Sequence, residues 1–286
     1  MSNVVLGIDI GGSHITAALV DLDTREVVEA SWRRARVNSM GEADAIVREW
    51  CVVITEIFNT FKPAQQKLAL AMPGPFDYEA GISLMKDQNK YDALYGLNVK
   101  ELLANECHIP VENIHMINDA ASFLQGEVFG GAAKGFHRAI GLTLGTGLGS
   151  SRVLDGVAED ADLWKAPFKD SIAEAYISTR WFVKRYAALS GKTVKDVKEL
   201  SEILPGNPLA QQVFDEFGTN LGIFLASFVE MDKPEIIILG GNVANALPLF
   251  EKSLTAELAK HNITLPIKCA TLGEKSAIVG AASSWR

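Results

Sequence analysis

Apolar residues in this chain fall into two kinds of run, short strand-like stretches and longer helical stripes, which alternate along the sequence. Residues 3–10, 14–21 and 26–36 predict three consecutive strands, with Asp21-Leu-Asp-Thr24 as the second turn. A helix follows, opened by Ser39 and Glu42 as a capping box, with Ile46, Trp50, Val53/Ile54, Ile57 and Phe61 as its stripe. Residues 67–72 predict a short buried strand that runs into Pro73-Gly74-Pro75. Asn98 caps a helix to about Cys107, and residues 113–118 form another strand.

The second half starts the plan again. Two apolar stretches, 137–145 and 148–154, lead into a mostly helical block from about Ser171 to Met231. A strand (235–239), a helix (244–260), a strand (267–272) and a helix (275–282) follow. Meander and crossover connections in one sheet predict an α/β fold with helices on the sheet faces. The repetition predicts a duplicated βββαβαβα plan. The expected domains are 1–117 plus a C-terminal helix at 274–286, and 118–273, with hinges near Asn118 and Gly273. Two such domains facing each other would enclose a central cleft. Within the helical block, residues 213–231 carry Phe214, Phe217, Leu221, Phe224, Leu225 and Phe228, wider than one amphipathic stripe. That helix is expected to be buried on more than one side, in a core or against a second subunit.

Both halves carry a glycine-tipped turn between their first two strands. At Gly11-Gly12-Ser13 the missing Cβ atoms let backbone N–H groups approach a ligand, and successive inward amides suit an anion such as phosphate. Ser13 and Thr16 would add hydroxyl donors. Asp9, at the strand end, is placed to hold Mg²⁺ through water. Gly145-Thr146-Gly147 is the corresponding turn, and since a strand and not a helix follows it, it is no dinucleotide fingerprint. Either turn alone is equally an ordinary hairpin. Asn118-Asp119 stands between a strand and a helix. It reads either as a cap or as a carboxylate able to take the proton of a hydroxyl attacking a nucleotide's terminal phosphate. Gly240-Gly241 joins a strand to a helix and would let a nucleoside approach, or simply turn the chain.

Composition narrows the classes. The chain has 286 residues, enough for one large or two medium domains, and a net charge of -8 with no Lys/Arg run, which argues against nucleic acid. No apolar span reaches about 18 residues and no secretory leader precedes the first strand, so the expectation is a cytoplasmic protein outside the membrane. Cys51, Cys107 and Cys269 read as buried thiols of a reducing compartment, not as disulfides or zinc ligands.

Taken together, Gly7-Ile-Asp-Ile-Gly-Gly-Ser13, Met72-Pro-Gly-Pro75, Asn118-Asp119-Ala120, Gly145-Thr-Gly-Leu-Gly149, Leu239-Gly-Gly241 and the closing Leu272-Gly-Glu-Lys-Ser-Ala-Ile-Val-Gly-Ala-Ala282 resemble the ROK family of the sugar kinase, Hsp70 and actin superfamily. That resemblance implies two actin-like (ribonuclease H-like) domains, ATP with Mg²⁺, and γ-phosphate transfer to a hydroxyl of a hexose or N-acetylhexosamine. It implies Asp119 as general base. Asp9, Gly11, Gly12, Ser13, Thr16, Gly145, Thr146 and Gly147 would lie around phosphates and magnesium, and Gly240 and Gly241 by the adenosine. Gly74, Asn89, Asn118 and Asp119 would contact sugar. Family members commonly dimerise, and nothing in the sequence decides that here. The chain also departs from the family pattern. Asp162-Leu-Trp-Lys165 stands where family kinases carry Glu-x-Gly-His, and their zinc cysteines are absent, so no structural zinc is expected. Glu174 aligns with a second sugar-binding Glu, or forms a capping box with Ser171. Asp162, Lys165 and Glu174 are therefore the residues expected to set the sugar. The alternative is a non-catalytic or regulatory sugar-binding member without a DNA-binding segment.

Overall fold

A computed structural model describes residues 3–286, which divide into two compact units: the residues up to Lys134 with Glu274–Arg286, and Gly135–Gly273. The first unit contains β1 (Val4–Ile10), β2 (His14–Asp21), β3 (Glu26–Val27), β4 (Arg33–Arg36), α1 (Ala43–Phe61), β5 (Leu68–Met72), the small hairpin β6 (Phe76–Asp77) and β7 (Ile82–Ser83), α2 (Val99–Cys107), β8 (Ile114–Asn118) and α3 (Asp119–Phe129). The C-terminal helix, Lys275–Ser283, returns to it. Its sheet runs β3-β2-β1-β5-β8, with β4 also on β2. β1 and β2 are antiparallel, while β1, β5 and β8 are parallel. β5 is apolar along its whole length and β1 is apolar but for Asp9 near its end, as expected of strands buried on both faces. Leu6, Ile8, Ile10, Ile15, Leu19, Leu68 and Leu70 pack with Ile46, Trp50, Ile54 and Ile57 of α1 in one core.

The second unit contains β9 (Ala139–Leu144), β10 (Leu148–Leu154), β11 (Val157–Asp160), the small hairpin β12 (Pro167–Phe168) and β13 (Ser171–Ile172), α4 (Ala173–Tyr176), α5 (Thr179–Ser190), α6 (Val197–Glu202), α7 (Pro208–Asp232), β14 (Ile236–Gly240), α8 (Leu247–Lys260) and β15 (Ile267–Cys269). Its sheet, β11-β10-β9-β14-β15, repeats the order of the first, and again the meander strands are antiparallel and the crossover strands parallel. The duplicated plan is thus present. α7 is buried around most of its girth, with the Phe217 ring tilted against Phe182 at 4.3 Å and edge-on to Phe250 at 5.1 Å between centroids. Asn207 caps it and Pro208 occupies its first turn, where the missing N–H costs nothing.

Several local expectations are corrected. Residues 26–36 are not one strand, because a short turn at Glu29–Ser31 buries the Ser31 hydroxyl, which accepts the Leu19 N–H at 2.8 Å in place of a ladder carbonyl. Ser39 and Glu42 form no capping box: α1 starts after Glu42 without a side-chain cap, and the Ser39 hydroxyl donates to the Gly12 carbonyl at 2.6 Å. The helix placed at 244–260 divides into a 3-10 turn, Asn242–Ala246, and α8. Cys51 and Cys107 are joined in a disulfide linking α1 to α2, which their separation in sequence conceals, and Cys269 is exposed. The boundary expected at 117/118 falls at 134/135. α3 stays with the first unit because it packs backbone to backbone on the C-terminal helix.

That packing is close. A Cβ on Gly126 would lie 2.0 Å from the Ser276 carbonyl oxygen, and one on Gly280 would lie 1.8 Å from that of Ser122. The Ser122 hydroxyl donates to the Ala277 carbonyl at 2.6 Å. Between the helices the fully buried Glu127 accepts from the Ser276 hydroxyl at 2.7 Å and the Ala132 N–H at 2.8 Å. Gly280→Ala should lower the urea midpoint by the equivalent of about 1–3 kcal/mol. Helix propensity alone would change stability by about 1 kcal/mol in the opposite direction, so the sign of the shift decides the point.

Candidate functional site

Asp9, Thr16 and Arg34 stand in register across β1, β2 and β4, so the three side chains emerge on one face. With Gly11, Ser13, His14 and Glu274 they line a cavity of about 210 Å³ within the first unit. Arg34 bonds both carboxylate oxygens of Glu274, at 2.9 and 3.0 Å. Ser13 Oγ lies 2.9 Å from His14 Nδ1. At the tip itself, an added Cβ on Gly11 would meet only the His14 carbonyl and one on Gly12 only the Lys90 side chain, each at 3.7 Å. The tip is open.

Asp119 follows from the adjacent strand. β1, β5 and β8 end side by side, and Met72 pairs with Asn118. The Asn118 side chain caps α3, accepting the Ala120 and Ala121 N–H groups at 2.8 and 3.0 Å, and its Nδ2 donates to the Tyr78 hydroxyl at 3.2 Å. A Cβ on Gly74 would lie 3.1 Å from that hydroxyl and 3.8 Å from Asn118 Nδ2. Capping and carboxylate chemistry are therefore divided between neighbours. Asn118 closes the helix, while Asp119 accepts the Ala120 N–H at 2.8 Å and is open to solvent. Protein crowded about its carboxyl nevertheless strips hydration and raises its pKa, against the pull of the Ala120 N–H and the Lys90 charge. Asp9 is raised to about 6, chiefly by burial and next by the Asp119 charge, with Arg34 opposing. Asn89, in left-handed backbone at φ 56°, is exposed.

In the second unit the turn at Gly145–Gly147 is closed by the Gly145 N–H on the Gly147 carbonyl, and Thr146 is exposed. Glu174 is not a helix cap; Ile172 precedes α4 without a side-chain bond. Its carboxylate accepts the Leu148 N–H at 3.1 Å, fills the space a Cβ on Gly147 would need, and pairs with Arg180. Asp162, in left-handed backbone, pairs with Lys165, whose ammonium lies 5.9 Å from the exposed Trp164 ring. Gly240 ends β14 beside Thr143 of β9. Gly241 adopts φ 82°, and its Cβ would lie 2.4 Å from the Leu144 carbonyl, so glycine is required there by packing alone.

The structure thus gathers Asp9, Gly11, Ser13 and Thr16 round one cavity and Gly74, Asn118 and Asp119 at one strand end. It draws Glu174 to the second turn and pairs Asp162 with Lys165. Sequence reasoning missed Arg34, Lys90, Tyr91 and the role of Ser39. Arg34 had a usable signal in its position on a strand beside Thr16; Lys90 and Tyr91 sit in an irregular segment whose path no periodicity reveals. Among the described residues no group of three or more His, Cys, Asp and Glu is arranged to hold a metal ion, and no helix is long and apolar enough to cross a membrane.

The sequence matches the ROK family over residues 5–159 and 169–286, and the chain belongs to that family. Residues 160–168, which hold Asp162 and Lys165, fall outside the match. An N-acetylgalactosamine kinase, AgaK, from Shewanella sp. (strain ANA-3) is 24% identical, over 96% of this chain and 94% of its own. A glucokinase from Thermotoga maritima is 25% identical over 98% and 96%. The crystal structure of a Streptomyces griseus ROK glucokinase in complex with glucose and AMPPNP superposes with a TM-score of 0.75 at 22% identity, covering 99% of each chain. Both sheets follow the actin-like, ribonuclease H-like order of that fold.

The raised pKa of Asp9 has a signed consequence. Its pKa in the folded state is near 6 against 3.8 in the free carboxyl, so across that window the folded chain retains a proton the unfolded chain has lost. Stability conferred by protonated Asp9 is complete below 3.8 and lost as pH rises through 6. Asp9→Asn should therefore gain stability relative to the wild type as pH rises from 4.5 to 7.5, read as the difference between their urea midpoints. A constant difference would show that Asp9 titrates normally.

Proposed function

We propose that this protein is an ATP-dependent sugar kinase that transfers the γ-phosphate to a hydroxyl of a hexose or N-acetylhexosamine, with Asp119 as general base. The observation that carries this reading is the division of labour at Asn118-Asp119. With the cap supplied by Asn118, the Asp119 carboxylate is left exposed and available to accept a proton. In phosphoryl transfer the transition state is loose, so the protein's part is to position the acceptor and stabilise charge, and the acceptor proton leaves late. Names borne by relatives, N-acetylgalactosamine kinase, glucokinase and N-acetyl-D-glucosamine kinase, support the substrate class.

The residues present fit a hydrated magnesium ion better than a caged metal. Asp9 supplies one carboxylate whose ionisation is disfavoured until a cation approaches, as suits Mg²⁺ that keeps its waters and takes phosphate oxygens. When bound, Mg²⁺ would neutralise phosphate charge. Gly11, Gly12, Ser13 and Thr16 would bind phosphate oxygens beside it, and Lys90 and Arg34 would add positive charge. Within the second unit, Gly145, Thr146, Gly147, Gly240 and Gly241 keep the nucleotide-contact role that the family resemblance implies for them. Gly74, Asn89 and Asn118 would orient the sugar. Glu174 would bind it through an oxygen already shared with Arg180, and Asp162 and Lys165 would meet it only by opening their mutual pair. A site altered in this way selects by which of its own polar groups a wrong sugar leaves unpaired. The mismatch at 160–168 favours one other reading, a non-catalytic sugar-binding protein.

A sugar panel read by coupled ADP release separates the two. Turnover with a hexose or N-acetylhexosamine is expected, and Asp119→Asn should lower kcat by about 10²–10⁴-fold while calorimetry still detects sugar binding. Sugar binding without ADP release from any panel member would leave the non-catalytic reading. Glu174→Gln should raise the sugar KM with the ATP KM unchanged.

A further inference from the structure

The carbonyls of the first glycine turn are all tied back into the first unit. Gly11 O accepts the Tyr91 hydroxyl at 2.6 Å, Gly12 O the Ser39 hydroxyl at 2.6 Å, and Ser13 O the Val37 N–H at 3.0 Å. These peptides are trans, so each carbonyl and the next residue's N–H point in opposite directions. Holding Gly11 O and Gly12 O inward turns the amides of Gly12 and Ser13 outward. Among the described residues, neither amide donates to a protein acceptor. A glycine pair has many backbone states open to it, and only some present two amides together.

The residues that fix this state are themselves held. Tyr91 is fully buried, donates its own N–H to the Ser39 carbonyl at 2.6 Å, and sets its ring edge-on to Trp50 at 5.5 Å. Ser39 is buried too. Tyr91 ends a segment in which Asp87, Asn89 and Tyr91 all take left-handed backbone, at φ 57°, 56° and 56°, a conformation that non-glycine residues keep only when their surroundings impose it. Lys90 lies between the last two, its side chain alongside Gly12.

We propose that Tyr91 and Ser39 are positioning residues that lock the Gly11-Gly12-Ser13 turn with its amides outward, as a preorganised receptor for a polyphosphate anion. The proposal rests on the kinase reading for the identity of that anion as a nucleotide's phosphates, but not for the lock itself. Their hydroxyls touch backbone and no substrate, and they act through the amides they aim. Fixing those dipoles in advance removes the reorganisation that a free glycine turn would require on binding. The same segment carries Asn89, so one anchored stretch would set both the phosphate turn and a sugar-facing residue.

The test is calorimetric binding of tripolyphosphate to the full-length protein, which needs no turnover. Tyr91→Phe and Ser39→Ala should each weaken binding roughly tenfold, the scale of one hydrogen bond to a charged group. Ser39→Thr keeps the hydroxyl and should retain affinity. Where a sugar is turned over, both hydroxyl deletions should raise the ATP KM and leave the sugar KM in place. Loss of stability alone would not produce that split. Should Tyr91→Phe fail to fold, Ser39→Ala against Ser39→Thr decides the matter. Wild-type affinity in Ser39→Ala would overturn the lock, as would a wild-type protein that binds no tripolyphosphate. Weakened binding in a protein that phosphorylates no sugar would uphold the lock and remove the kinase reading.

Discussion

The first unit depends on how closely the C-terminal helix approaches its sheet and α3. A Cβ on Gly7 of β1 would lie 2.3 Å from the Ile278 carbonyl oxygen, and Gly126 and Gly280 remove side chains where that helix meets α3. Three glycines far apart in sequence thus let backbones meet without intervening side chains, at a cost in backbone entropy that dispersion contacts and the Ser122 and Glu127 hydrogen bonds offset. The chain is thereby committed to returning from the second unit before the first is complete. The same helix brings Glu274, just before it, to Arg34. Its packing against α3 also fixes the start of α3, where Asp119 stands.

Electrostatics at the strand ends follows from that geometry. Parallel strands β1, β5 and β8 end together, so the charge of Asp119 reaches Asp9 and, after burial, disfavours its ionisation. Arg34 opposes this incompletely. Two carboxylates so placed are a poor arrangement for stability and a suitable one for receiving positive charge. The pKa of Asp9, raised to about 6, follows first from its burial and second from that neighbouring charge.

Much of this was readable from residue pattern. Strict alternation and continuous apolar runs located β1, β2, β5, β8, β9, β10 and β14, and repetition of the glycine turn exposed the duplication, since both depend on burial that each segment must satisfy locally. What failed shares a cause. Ser39 has the spacing of a capping box with Glu42, and Ser171 with Glu174, yet in both pairs a distant backbone group offers a better partner than the helix end: Gly12 O for Ser39 and the Leu148 N–H for Glu174. Ser31 likewise replaced a ladder carbonyl. The Cys51–Cys107 link and the 134/135 boundary are also set by contacts between elements. Short polar side chains are interchangeable in local patterns and are assigned only by what folds against them.

The two glycine turns show how a duplicated fold diverges. Both close the first hairpin of a five-strand order, but their surroundings differ. In the first, hydroxyls of Tyr91 and Ser39 hold carbonyls. In the second, a carboxylate, Glu174, lies against Gly147 and accepts the Leu148 N–H, so one of its amides is already spent on an anion belonging to the protein. That resident negative charge is partly balanced by Arg180. Symmetry of strand order therefore does not carry over to the surroundings of the two turns: hydroxyls hold the carbonyls of the first, and a carboxylate stands against the second.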